Sequence, residues 1–183
     1  MPAARAFPFV AVIVACALLW DGCGGSSKVS ANSYVKGVCT AITGYLTSIR
    51  NRENTVKSGA TPSSPTQGRQ ILQSFTNGML SDTDHAISQL KAAGVPNIGN
   101  GDKISSAIVT VFTKVRTALA QAQTQANQLP ITTPTAFKSA VTQYVSTFQS
   151  SLANVASGLS GLRSPDLVKA AGQTSACQSL NSA

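Results

Sequence analysis

The sequence predicts an all-α domain, an up-down-up-down antiparallel four-helix bundle with a short C-terminal fifth helix. Three observations point there. From Val35 onward, apolar residues recur at three- and four-residue steps through four long stretches, the period of a helix with one buried face. Proline, glycine and Ser/Thr clusters punctuate the chain between those stretches. No segment alternates apolar and polar residues between hairpin signals, so no sheet is expected.

The first helix is expected over residues 32–58, with Val35, Val38, Ile42, Tyr45 and Ile49 on its stripe, a break at Arg52, and then Val56. Gly59 ends it, and a loop of Thr, Pro and Ser follows. Ser64 is placed to cap the second helix, with Pro65 in the first turn, where a missing amide costs nothing. Leu72, Phe75, Met79, Ala86 and Leu90 form its stripe, and Gly94-Val95-Pro96 stops it. Asn100-Gly101-Asp102 opens the third helix, whose apolar face runs from Ile104 to Leu129 before Pro130. Thr133-Pro134 starts the fourth by the same cap-plus-proline device, with a stripe from Phe137 through Val141, Tyr144 and Phe148 to Leu162. Ser164-Pro165-Asp166 restarts a short fifth helix that reaches Cys177.

Helices of this size measure about 36–45 Å at 1.5 Å per residue, and short connections make neighbours antiparallel. The many Ala, Ser and Thr residues between the stripes make each stripe narrow, so the core should be modest. The periodicity leaves open a plain bundle and two helical hairpins splayed around a groove.

Ahead of this domain, Arg5 is the one charged residue before Asp21, and Ala6 to Trp20 is apolar apart from a break at Pro8. A spanning helix needs about 20 apolar residues, so a cleaved export signal over residues 1–22 is expected rather than a permanent span. Gly22-Cys23-Gly24-Gly25-Ser26-Ser27 follows, and residues 23–31 read as a flexible tether. The stretch around Cys23 resembles the lipobox of bacterial lipoproteins. That resemblance implies a diacylglyceryl group on the Cys23 sulfur and cleavage on its N-terminal side. Trp20 and Asp21 depart from the family pattern. Ile13-Val14-Ala15-Cys16 matches the box better but leaves a short apolar core and a poor tether, so Cys16 is the rival; ordinary signal cleavage without lipid is the third reading.

With Cys16 in the signal and Cys23 lipidated, Cys39 and Cys177 remain in the folded part, residues 32–183. An exported chain meets an oxidising compartment, so a Cys39–Cys177 disulfide is the simplest outcome. Such a bridge fits the topology, because helix one begins and helix four ends at the same end of an antiparallel bundle. No Cys-x-x-Cys pair is present to suggest a zinc or redox motif.

Charged residues are few, 11% of the chain, but lopsided, with 14 Lys and Arg against 6 Asp and Glu. Arg5 and Asp21 cancel, so the processed chain keeps the net charge of +8. That balance favours anionic lipid headgroups or wall polymers. Arg50, Arg52, Lys57 and Arg69 come nearest to a cluster and are the anion-contact candidates. No aromatic residues interleave with them, so nucleic acid is not an expected partner.

The inventory for catalysis is thin. His85 is the single histidine, with Asp82 one helical turn before it as a weak metal candidate. The processed chain supplies one glutamate and four aspartates, short of the Glu-x-x-His pairs of di-iron bundles. There is no Gly-x-Ser-x-Gly elbow, and Gly99-Asn100-Gly101-Asp102-Lys103 lacks P-loop spacing and reads as a helix-entry turn. Tyr34, Tyr45 and Tyr144 fall on or beside apolar stripes as core residues. These features describe an extracytoplasmic surface lipoprotein, held on the bacterial cell membrane by lipid. It would act without enzyme activity or cofactor, as a binding module of the envelope with an unidentified partner protein. The alternative is a carrier or sensor that holds a small apolar ligand or haem between its helices.

Overall fold

Each of the four long stretches is a helix in the structure, a computed structural model that describes residues 28–59, 62–156 and 164–181. The expected export signal with Cys16 and Cys23, and Leu159 and Leu162 of the fourth stripe, lie outside the described residues. The long helices are α1 (Ala31–Ser58), α2 (Pro65–Ala92), α3 (Gly101–Asn127) and α4 (Pro134–Ala156). Their starts follow the local chemistry. The Ser64 hydroxyl accepts the Gln67 amide at 3.2 Å ahead of Pro65, and the Thr133 hydroxyl accepts the Ala136 amide at 3.2 Å ahead of Pro134. Ser30 caps α1 in the same way through the Ser33 amide.

Three points differ from the sequence reading. A two-residue parallel ladder joins β1 (Lys28–Val29) to β2 (Val95–Pro96), where no strand was expected. Consequently the C-terminal end of the tether assigned to residues 23–31 is built into the fold from Lys28 onward. The single fifth helix is in fact two, α5 (Pro165–Gly172) and α6 (Ser175–Asn181), with Gln173 and Thr174 between them. The turn from β2 into α3 is tight: Asn100 takes the left-handed conformation at φ 63°, and a Cβ at Gly101 would collide with the Pro96 carbonyl oxygen.

α2 packs antiparallel to α1, with Gly37 against Ala93 near one end, Tyr45 beside Thr83, and Arg52 across Gly78 toward the other. It packs antiparallel to α3 as well, with Arg116 on Asp84 and Gln73 on Asn127. α4 packs on α3 and touches the N-terminal half of α2, where the Phe137 ring covers Gly68. α5 and α6 lie on α1. The helices therefore form a bundle in which α1 takes the C-terminal helices, rather than α4, along its free flank.

Among the described residues two core clusters result. The larger joins the first half of α1 to α2, α3, α5 and α6 through Tyr34, Val38, Leu90, Ile104 and Ala170. The smaller joins α3 and α4 through Ala122, Ala126, Leu129 and Tyr144. Cys39 and Cys177 are disulfide-bonded inside the larger cluster, with their Cα atoms 5.1 Å apart. Thr43 adds a hydrogen bond to the Ala176 carbonyl at 3.3 Å. Reduction, or paired Cys39→Ala and Cys177→Ala changes, should cost about 2–5 kcal/mol, the usual scale for removing a native disulfide from a small domain. At roughly 2–4 °C per kcal/mol, the loss is readily seen by thermal circular dichroism. An unchanged midpoint would mean that α5 and α6 hold without the bond.

Candidate functional site

The break in the α1 stripe at Arg52 marks the site. Arg52 follows Ile49 by three residues, so it lies on the side of α1 that faces α2, where an acidic side chain can pair with it. That partner is Asp82. The guanidinium engages the carboxylate through Nε and Oδ2 and through Nη2 and Oδ1, the latter at 3.0 Å. Gly78 leaves room for the guanidinium to lie across α2; a Cβ there would overlap it. Asp82 raises the Arg52 pKa further above its ordinary value, chiefly by hydrogen bonding.

Beyond Arg52 the helices part. The second half of α1, the first half of α2 and the first turns of α4 enclose an open groove of about 780 Å³. Ile71, Leu72, Phe75, Phe137 and Val141, all half-buried, form its apolar lining, with Val56 and Pro62 at its border. Arg52 and Lys57 supply the positive charge. Lys57 is exposed and pairs with Glu53 at 3.5 Å, an arrangement worth little in water.

The structure divides the four anion-contact candidates. Arg52 and Lys57 line the groove; Arg50 and Arg69 do not. Arg50 is exposed, and the Arg69 Nε is buried without a hydrogen-bond partner. His85 is exposed on α2, while Asp82 is committed to Arg52, so the pair is not brought together as ligands. Among the described residues no group of three or more His, Cys, Asp or Glu side chains could hold a metal ion. Nor is any described helix long and apolar enough to cross a membrane.

Two buried threonines on α2, one heptad apart, anchor the walls. The Thr83 hydroxyl donates to the Met79 carbonyl at 2.7 Å and lies 3.2 Å from the Tyr45 oxygen on α1. The Thr76 hydroxyl donates to the Leu72 carbonyl at 2.7 Å, so Tyr144 on α4 donates to it across 3.0 Å. Both threonines are almost wholly buried, at 0% and 1% exposure. They carry no signal in the sequence, because a threonine's polarity hides its place on a stripe. Tyr45 also meets Phe112 edge-on at 5.3 Å. No known protein family, curated protein or solved structure matches the chain.

Burial pushes the Tyr34 and Tyr45 hydroxyls above their ordinary value near 10; side-chain hydrogen bonding with Ser105 and Thr83 partly offsets this, and the Asp82 charge adds to it at Tyr45. Above that value the unfolded chain releases protons that the folded chain retains. The stabilisation is therefore full below about pH 10 and is lost as the pH rises through the raised values. Tyr45→Phe should make the alkaline fall in denaturant midpoint shallower than in the parent protein. Superimposable alkaline profiles would clear this phenol of the effect.

Proposed function

We propose that the chain is an exported lipoprotein, held on the bacterial cell membrane through Cys23, whose folded domain binds a ligand without chemistry. The groove between α1, α2 and α4 is the binding element. What carries this reading is the juxtaposition of five half-exposed apolar side chains with two cations in a concavity of about 780 Å³. Ligand sites have this character, an apolar lining with a few polar groups that fix orientation. The chemistry selects an elongated apolar molecule with one anionic head, the chain lying along Ile71, Phe75 and Val141 and the head near Lys57 and Arg52. Haem suits the groove less well, because the lining offers no His, Met, Cys or Tyr as an axial ligand.

Two measurements test this. Protein purified from a bacterial host should yield an anionic amphiphile on solvent extraction, and a fluorescent fatty-acid probe should bind the emptied groove. Ile71→Asp, which puts a charge against the apolar chain, should weaken the probe about tenfold or more with the melting curve preserved. No extractable amphiphile and no probe binding would reject the groove as the site. The address is tested separately: Cys23→Ser should release the chain from membranes and Cys16→Ser should not.

A further inference from the structure

From the ladder between β1 and β2 and the lysines around it, we infer that this end of the bundle is a docking surface for anionic lipid headgroups. It holds the domain upright, with the groove turned away from the bilayer. The inference rests on the lipoprotein reading of Cys23.

Lys28 pairs in register with Val95 and Val29 with Pro96, and the Asn97 amide donates to the Val29 carbonyl at 2.8 Å. Ser30 then caps α1. The chain is thus fixed to one end of the bundle from residue 28, where α1 begins, α2 ends and α3 begins. Only Gly24 to Ser27 separate that point from Cys23. Even fully extended, the connection reaches about 18 Å, whereas α1 alone is about 42 Å long. A lipid on Cys23 therefore keeps this end near the headgroups, while the groove lies toward the opposite end.

The charges at the anchored end suit that position. Lys28 stands on β1, Lys36 in the second turn of α1, Lys91 in the last turn of α2 and Lys103 in the first turn of α3; Lys169 lies on α5, which packs against α1. All five are exposed, and none takes part in an ion pair among the described residues. The acidic residues on the same elements' ends are Asp102 and Asp166, both exposed. The pairs that do form, Arg52 with Asp82, Lys57 with Glu53 and Arg116 with Asp84, are on the middle and far parts of the helices. Attraction to an anionic surface falls off within a Debye length of about 10 Å at moderate salt. Range therefore decides which lysines matter: those around the ladder act on the bilayer, and Lys57 and Lys138 at the groove end do not.

The test uses the full chain, processed in a bacterial host, purified in detergent and reconstituted into phosphatidylglycerol-containing or pure phosphatidylcholine vesicles. Flotation first shows whether the chain is anchored. Lysines are then acylated with a water-soluble amine reagent and read by peptide mapping. On anionic vesicles Lys28, Lys36, Lys91, Lys103 and Lys169 should react severalfold more slowly than in detergent, and Lys57 and Lys138 at unchanged rates. High salt or pure phosphatidylcholine should remove the difference. A variant with Lys28→Gln, Lys91→Gln and Lys103→Gln should still float but lose protection at Lys36 and Lys169. Chain that floats with both ends equally reactive, or with the groove end protected, overturns the docking surface while leaving the anchor intact. Chain that does not float overturns the anchor and the docking surface together.

Discussion

The bond between Cys39 and Cys177 is the constraint on which the remaining arrangement depends. α5 and α6 have eight and seven residues, far below the length at which a helix persists in water. Tied to α1, they complete the larger cluster around Tyr34, Val38 and Cys39. They also occupy the flank of α1 that a closed four-helix bundle would give to α4. With that flank taken, α4 rests on α3 and on the first half of α2, and the space between α4 and the end of α1 stays open. The groove is in this sense a consequence of where the chain terminus is fastened.

The division of the core follows from the same arrangement. At the ladder end, five helices and a short sheet converge on one apolar cluster. At the groove end, small residues such as Ala122 and Ala126 let α3 and α4 approach, and the remaining surface of Leu72, Phe137 and Val141 is only half covered. α2 runs through both regions and holds its neighbours with paired hydroxyls, Thr83 with Tyr45 and Thr76 with Tyr144. Satisfied pairs of this kind fix helix register at little net cost, whereas an unpaired buried hydroxyl would be expensive. The groove lies at the less consolidated end of the fold, where local adjustment need not loosen the rest.

Much of this was legible in the sequence. The helix starts at Pro65 and Pro134 follow from local cap chemistry, and the disulfide is the pairing that the cysteine count leaves if the compartment is oxidising. The β1–β2 ladder was not, because two residues carry no period to detect. The break between α5 and α6 has little sequence signal, because Gly172-Gln173-Thr174 lacks the proline that marks the other breaks between helices. Periodicity shows that Leu72, Phe75 and Val141 lie on apolar faces, but not which helix covers them; that depends on where α5 and α6 dock. For Arg52 the clue was present. A charge at a stripe position invites an acidic partner on the facing helix, and Asp82 is that carboxylate. Closeness in sequence does not make a patch: Arg50 is exposed, Arg52 is paired with Asp82, and the Arg69 Nε is buried.

The central claim is that one end of this bundle is closed by the disulfide cluster and the other is open. Native-state hydrogen exchange on the oxidised protein measures this directly. The slowest amides should lie in α1 near Val35 to Ile42, in α2 near Thr83 to Leu90 and in α3 near Ile104 to Val111, while those of α4 and the first turns of α2 exchange markedly faster. Protection in α4 equal to that in the first half of α1 would contradict the account.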